Sequence, residues 1–245
     1  MIELLKQGYA RLLDVNVDRL ATPGIHVVVT GRREQPEWAN WVHPIWFFQM
    51  ANTVIGSVAP AYAAAAQQIT AHLTPDTLLC SEMVALAHSS TEALGPADLE
   101  WVQCELLYYP SPQPPTRSSG YTVEKLQPTD EHSRYFLRNF DGGGYGIRAT
   151  DGTIAAHACI KNKGLLYEIA VGTEAAYRRR GMGKAVVAAA VAHILQQGKV
   201  PVYWPDSLNN IASYQLAYSL GFQKVAEMFF CCYAVPDWPG FLVEG

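Results

Sequence analysis

The sequence predicts a mixed α/β protein of the α+β kind, built in two parts, and three observations lead to this class. Residues of the set AVILMFWYC make up 49% of the 245 residues and charged residues only 16%, so the chain can bury a sizeable core. Helix and strand periodicities alternate along residues 117–245. Four of the seven residues at 110–116 are proline, which ends helices and central strands alike.

The proline-rich segment divides the chain in this prediction. We expect a smaller α+β domain over residues 1–109, a semi-rigid linker over 110–116 and a second domain over 117–245. The second domain is predicted to carry a mostly antiparallel sheet flanked by helices. The two parts also differ in charge, since residues 1–115 hold 5 basic and 11 acidic groups, whereas residues 116–245 hold 13 and 11.

The first part begins with a predicted helix over residues 2–13. A β-branched run at 25–30, an aromatic-rich segment at 38–48 and an apolar stretch at 54–59 follow as candidate strands. Pro60 then opens an alanine-rich helix. This part shows no internal repeat and no catalytic spacing.

The second part opens with a predicted strand over residues 121–126 and a helix over 128–140, followed by a glycine-rich break. Three strands are predicted over 145–150, 153–161 and 165–172. The pair Asp151-Gly152 between the first two of these is a two-residue hairpin signal, so the three strands form an antiparallel meander.

The remaining elements alternate between helix and strand. Residues 184–197 are rich in alanine and valine on nearly every face and stop at Gly198, as expected of a helix packed closely on a sheet. A strand over 200–204 and a helix over 210–220 follow. The last predicted strand segment, 222–235, is long enough for either a closing hairpin or one bent ribbon.

Charge and cysteine content exclude several classes of protein. The formal net charge of −4 has the wrong sign for a nucleic-acid-binding protein. Five cysteines without a CxxC spacing indicate neither a disulfide framework nor a metal site, and a cytoplasmic location is expected. No apolar stretch of about 20 residues and no secretion signal are recognisable, so we expect no membrane partner.

One segment carries a chemical signal, the glycine-rich turn at residues 177–184 ahead of the alanine-rich helix. Such a turn directs unpaired backbone N–H groups and the positive end of the helix dipole at one spot, where phosphates bind. The turn is not a Walker loop, because Ala185 stands where Ser or Thr is needed, and Val186 replaces the third glycine of the dinucleotide motif.

With Arg178, Gly181 and Gly183 in an RxxGxG pattern, this half of the chain resembles the GNAT superfamily of acyl-CoA-dependent acyltransferases. The order of elements over about residues 117–245 fits that fold, and Asn210 followed by Gly221-Phe222 is similar to the signature of its last helix. The stretches after Glu168 and Asn210 resemble a subgroup that includes antibiotic-modifying members.

The resemblance implies acetyl-CoA, or another acyl-CoA, as co-substrate and no metal. The thioester would lie where the strands at 165–172 and 200–204 splay apart. The residues implied to bind the CoA pyrophosphate, the pantetheine arm or the CoA chain are Ile169, Ala170, Val171, Arg178, Arg179, Arg180, Gly181, Met182, Gly183, Lys184 and Asn210.

The general base and the general acid each have candidates in the sequence. Glu168 is the candidate base, since it lies near the position of a catalytic glutamate in some GNAT enzymes. A carboxylate on an apolar strand is expected to have a raised pKa. The alternative is that Glu168 faces solvent or pairs with a lysine.

Many GNAT enzymes have a tyrosine as the general acid at the position where this chain has Ala217. Tyr214, Tyr218 and Ser213 are the substitutes considered, and water is the alternative.

We therefore expect a two-domain N-acetyltransferase that transfers an acetyl group from acetyl-CoA to a primary amine of a small molecule by direct attack. A catalytically silent acyl-CoA-binding or regulatory protein is the alternative. In a third hypothesis residues 1–109 are a degenerate GNAT-like copy. The first domain is expected to cover the acceptor side, its acidic surplus attracting a cationic amine. A homodimer is one candidate assembly.

Overall fold

A computed structural model describes residues 1–38, 41–74, 77–96, 98–116, 120–130, 133–134, 137 and 139–235. The helices are α1 (Ile2–Leu13), α2 (Ala63–Thr70), α3 (Ser81–Thr91), α4 (Met182–Gln196) and α5 (Ile211–Ser219). The strands are β1 (Gly24–Val29), β2 (Pro36–Trp38), β3 (Trp41–Met50), β4 (Thr53–Val58), β5 (Glu100–Tyr108), β6 (Glu124–Lys125), β7 (Gly144–Arg148), β8 (Ile154–Lys163), β9 (Leu166–Thr173), β10 (Val200–Tyr203) and β11 (Gln223–Ala234).

The chain folds into two units, each drawn from separate stretches of the sequence. Unit 1 takes in Met1–Gly8, Leu107–Trp204 and Ile211–Lys224. Unit 2 takes in Tyr9–Leu106, Pro205–Asn210 and, of the described residues, 225–235. The division into 1–109, 110–116 and 117–245 stays a prediction.

The sheet of unit 1 has the order β10, β9, β8, β7, β6, and the last residues of β5 pair with β10. Strands β7 to β9 form the predicted antiparallel meander, in which Gly152 takes the left-handed conformation that the β7–β8 turn requires (φ 88°). Strand β6 adds to its edge by pairing antiparallel with β7. Strand β10 joins β9 in parallel, which is possible because α4 provides the crossover between them.

Helix α4 forms the core of unit 1 against this sheet. Its small side chains let the helix approach the strands closely, and Val186, Val187 and Ile194 are fully buried among Ile160 and Ile169. Burial of each such side chain contributes about 1.5–3 kcal/mol. The helix thereby fixes the position of its own N-terminus over the end of β9.

The sheet of unit 2 has the order β1, β4, β3, β11, β5, with β2 also paired to β3. Strands β1 and β4 are parallel, whereas β3 is antiparallel to both β4 and β11. Three aromatic residues of β3 belong to its core, since Phe47 and Phe48 are fully buried and Trp46 is 4% exposed.

The fold class predicted from the sequence is confirmed, with mostly antiparallel strands flanked by helices. Most elements match their predicted bounds to within two residues, and residues 222–235 form one strand instead of a hairpin. The strand predicted over 121–126 is reduced to Glu124–Lys125. Of the helix predicted over 128–140, residues 131, 132, 135, 136 and 138 lie outside the described residues.

A helix that crosses a bilayer must be both long and predominantly apolar. Within the part of the chain that the structure describes, no helix combines these two properties to the extent that a membrane span requires.

Candidate functional site

The parallel strands β9 and β10 of unit 1 separate after a short contact. Their paired positions run from Leu166 with Val200 to Glu168 with Val202, and β10 ends at Tyr203 while β9 continues to Thr173. Over residues 169–173 strand β9 keeps β8 on one edge, and no described strand pairs with its other edge. The splaying predicted for these two strands is therefore present.

Two hydrogen bonds determine which backbone groups face this open edge. Val200 N–H donates to Leu165 O (3.0 Å) on the β10 side, and Glu174 N–H donates to Ala155 O (2.9 Å) on the β8 side. Because backbone groups of successive residues alternate between the two edges of a strand, the odd-numbered residues face the β10 side. Val171 therefore presents both its N–H and its C=O to the open edge.

Strand β9 leads through a short turn to the N-terminus of α4. Arg179 and Gly181 both take left-handed backbone conformations (φ 60° and 81°), which turn the chain sharply into the helix. The first bond of the helix runs from Ala185 N–H to Gly181 O (3.1 Å), and no side chain caps the helix. The N–H groups of the first turn are thus available to an anion.

Side-chain contacts hold this turn in place. The hydroxyl of Tyr121 donates to the carbonyl of Arg180, and Arg178 Nε donates to Thr173 O (3.1 Å). The guanidinium of Arg180 lies over the Tyr177 ring, 5.4 Å from its centroid. Arg178, Arg179 and Arg180 are all exposed, so the turn combines backbone donors with positive charge.

Three further predicted binding residues of the loop serve packing. Lys184 Nζ donates to Ser219 O (3.0 Å), so this side chain ties α4 to the end of α5. A Cβ at Gly183 would lie 3.0 Å from a Leu216 methyl and 3.2 Å from Thr173 Oγ1, so glycine allows close packing here. Met182 is half-buried and packs against the same core.

Glu168 lies at the point where β9 and β10 separate, but its electrostatics differ from the expectation. Burial raises its pKa, yet the ammonium groups of Lys163 and Lys161 outweigh this effect and lower the pKa to about 2. Lys163 is in direct ionic contact with the carboxylate, and Lys161 is paired opposite Glu168 on β8. The expected rise in pKa is therefore wrong, and the alternative of a lysine partner is the one observed.

The three candidates for the general acid are in different environments. Tyr214 is 8% exposed and belongs to the core of unit 1, whereas Tyr218 is 46% exposed. Their rings stack with centroids 6.2 Å apart. Ser213 is half-buried, and its Oγ lies 2.5 Å from the hydroxyl of Tyr203.

Asn210 immediately precedes α5 and groups with unit 2. Its side-chain amide donates to Asp206 Oδ1 (2.9 Å) within the segment 205–210. Its predicted contact with the CoA chain stays a prediction.

Several residues of this site were not singled out from the sequence. They lie at the site only because of tertiary contacts, and no local spacing marks them. These residues are Tyr121, Lys161, Lys163 and Tyr203. In the sequence, Tyr203 is marked only by its hydroxyl group and its position near the end of the strand predicted over 200–204. Among the described residues no group of His, Cys, Asp and Glu side chains could hold a metal ion.

Comparison with known proteins links this site to a family. A family model described as GNAT acetyltransferase matches residues 131–229, which span β7 to β10 and both helices of the site. No curated protein matches the chain.

Solved structures give distant matches. A GNAT-family protein from Novosphingobium aromaticivorans is 24% identical, with 57% of this chain and 69% of that chain covered and a TM-score of 0.44. A GCN5-related N-acetyltransferase from Kribbella flavida is 16% identical, with 94% and 96% covered and a TM-score of 0.47. A GCN5-related N-acetyltransferase-like protein from Streptococcus suis is 16% identical, with 60% and 68% covered and a TM-score of 0.41.

The splayed strands, the turn and the helix behind them thus lie inside the segment that the family model matches. Residues 131–229 match the model of the GNAT acetyltransferase family, a family of acyl-transfer proteins.

Proposed function

We propose that the protein is an N-acyltransferase that moves the acetyl group of acetyl-CoA to a primary amine of a small molecule. One observation carries the proposal: the open edge of β9 runs directly into a turn whose backbone donors stand at a helix N-terminus. An extended amide-containing arm suits the edge, and a pyrophosphate suits the turn.

The open edge of β9 and the turn before α4 would bind different parts of acetyl-CoA. Val171 offers a donor and an acceptor to the amides of the pantetheine arm, in the manner of an added strand. The N–H groups of Met182, Gly183 and Lys184, with the arginines beside them, would bind the pyrophosphate. The thioester then lies near the last pair of β9 and β10, Glu168 with Val202.

The reaction requires little covalent chemistry from the protein itself. The amine must be held against the thioester carbonyl, lose a proton and displace the thiolate. The ionic contact with Lys163 makes Glu168 a weak base, so its role is to fix the two lysines beside the cleft. We therefore expect the amine to bind as its free base or to lose its proton to water.

The low pKa of Glu168 favours a second candidate function, an acyl-CoA-binding protein without catalysis. A carboxylate with a pKa of about 2 is far from the range in which a general base works at neutral pH. Turnover decides between the two candidates. Release of thiol from acetyl-CoA in the presence of polyamines, amino acids or aminoglycosides would support the transferase, and binding without release would support the second candidate.

Calorimetric titration of acetyl-CoA tests the binding site itself. Gly181→Asp places a carboxylate in the turn, and we expect affinity to fall at least 100-fold because the anion is repelled and the backbone is strained. Gly164→Asp is the matched control, since Gly164 has a similar φ of 75° and open space around it. Unchanged affinity in Gly181→Asp, or an equal loss in the control, would contradict the site.

A further inference from the structure

Strand β1 lies at one end of the sheet of unit 2 and carries exposed apolar side chains. It pairs in parallel with β4 on one edge, and no other strand in the part of the chain that the structure describes pairs with its second edge. Ile25 is 37% exposed, Val27 is 38% exposed and Val29 is 51% exposed. Open edges are usually protected by lysine, proline or a bulge, but β1 contains no proline and no Lys, Arg, Asp or Glu.

Two hydrogen bonds show which backbone groups of β1 face the open edge. Gly24 N–H donates to Asn52 O (2.9 Å) and Thr30 N–H donates to Val58 O (2.8 Å), so the even-numbered residues face β4. Because the backbone groups of successive residues alternate between the two edges of a strand, the odd-numbered residues direct N–H and C=O to the open edge. These are the same three residues that expose apolar side chains.

The pattern of β1 is symmetric about Val27. When an identical strand lies antiparallel to it with a two-fold axis at Val27, Val27 opposes Val27 of the second copy and Ile25 opposes Val29. All of these are hydrogen-bonded pairs, and each joins two β-branched side chains, a cross-strand pair that stabilises sheets. In this register His26 opposes Val28, so the imidazoles of the two copies do not face each other.

We propose that the protein forms a homodimer in which the open edge of β1 pairs antiparallel with β1 of a second copy. This dimer is independent of the proposed function. A second copy suits the edge better than an unrelated extended segment, because the copy supplies the same spacing of donors, acceptors and apolar side chains about the two-fold axis. A pair of six-residue strands is smaller than the roughly 800 Å² per partner of a standard interface, so we expect reversible association with a micromolar dissociation constant.

Sedimentation velocity over a series of protein concentrations tests the dimer. The wild type should shift from monomer to dimer as its concentration rises through the micromolar range. Val27→Lys places two ammonium groups opposite each other at the two-fold axis, and Val27→Glu does the same with two carboxylates, so each variant alone should associate at least about tenfold more weakly. An equimolar mixture of the two variants should restore the dimer, because residue 27 of one copy faces residue 27 of the other.

Leu94→Lys is the matched control. Leu94 is another exposed apolar residue of unit 2, with 45% exposure, and it lies outside β1. We expect this variant to associate like the wild type. Equal weakening by Leu94→Lys and Val27→Lys would assign the effect to the added charge and overturn the proposed dimer.

A second pair of variants covers the case in which Val27→Lys does not fold, as judged by circular dichroism. One methyl of Val27 would lie 3.6 Å from a Cβ at Gly56, so this side chain also borders the core. Val29→Lys and Ile25→Glu then replace the first pair, since these two positions oppose each other. Each should weaken association alone, and their mixture should restore it.

Two results would overturn the dimer. The first is a wild type that stays monomeric at every concentration, which would leave an extended segment of another protein as the occupant of this edge. The second is a mixture of folded lysine and glutamate variants that associates no better than either variant alone, which would exclude the register centred on Val27.

Discussion

Glu168 is a buried carboxylate whose ionic partners determine its behaviour. Lys163 contacts it directly and Lys161 faces it across β8 and β9, while the residue itself is 9% exposed. The indole of Trp204 adds a hydrogen bond that also favours the ionised form. Removing the charge would leave two lysines without their counter-charge, and such a loss is costly inside a protein.

Glu168→Gln should therefore destabilise unit 1 at pH 7. We expect the free energy of unfolding to fall by about 3 kcal/mol, the cost of breaking a buried ion pair. Because the folded-state pKa of Glu168 is lowered from 4.5 to about 2, its contribution is complete above pH 5 and disappears as the pH falls toward 2. Urea unfolding at a series of pH values measures both effects.

Glu3→Gln is the control for this experiment. Glu3 pairs with Lys6 at 3.1 Å, but its side chain is 70% exposed, so its loss should change stability by less than about 0.5 kcal/mol. A Glu168→Gln protein as stable as the wild type at pH 7 would show that the lysine contacts do not govern this carboxylate.

The sequence could place Glu168 on its strand but not among its partners. Alternation along β9 shows that the residue shares a face with Leu166 and Ala170, and apolar neighbours favour a raised pKa. The opposite outcome depends on the register of β8, which brings Lys161 across from it. In a hairpin the register follows from the turn type and the loop length, and the two-residue loop that sets it here is known only once Lys163 is seen to pair with Leu166.

At the scale of elements, the sequence predicts most helices and strands because their apolar residues follow regular patterns. Helix α4 and strands β8 and β9 have strong apolar patterns, and their bounds agree closely with the prediction. The strand predicted over 121–126 is much shorter in the structure, since only Glu124 and Lys125 pair with β7. Tyr121 is used instead to hold the carbonyl of Arg180.

The open edge of β9 gives the second prediction. Val171→Pro removes the N–H that faces the edge, whereas Val171→Ala removes a similar amount of packing and keeps the N–H. Proline is tolerated on an edge whose N–H has no strand partner. We expect both variants to fold and Val171→Pro to bind acetyl-CoA five to ten times more weakly than Val171→Ala, the value of about one hydrogen bond.

Calorimetry with acetyl-CoA measures this difference, and amide exchange reports whether β9 is intact. Ala170→Pro is the contrasting variant, because the N–H of Ala170 faces β8 and its loss should disrupt the sheet itself. Equal affinities for Val171→Pro and Val171→Ala would mean that the arm of the ligand does not bind along this edge.

At the scale of the whole molecule, the order of strands in unit 2 differs from their order in the chain. Strand β11 comes from the C-terminal part of the sequence, yet it lies between β3 and β5. It pairs with β3 from Glu227 with Gln49 to Ala234 with Trp41. Composition and proline content predict a boundary at 110–116, and long-range pairing of this kind leaves no mark on local sequence.

The third prediction follows from this arrangement. A chain that ends at Lys224 keeps all of residues 1–109 but loses the strand on which β3 depends. Phe229, fully buried, would leave a core in which it contacts Trp101 at 4.6 Å and Phe47 at 6.3 Å between ring centroids. Loss of one such phenylalanine costs about 3–5 kcal/mol, and a whole domain has only about 5–15 kcal/mol of stability.

We therefore expect unit 2 to unfold in the chain that ends at Lys224. Near-ultraviolet circular dichroism should lose the signal of the tryptophans on β3, and the amides of β3 and β4 should lose their protection from hydrogen exchange. A chain that ends at Val235 retains every residue of β11 and is the control. Retained protection of β3 in the shorter chain would show that residues 1–109 fold without β11, as the predicted boundary at 110–116 requires.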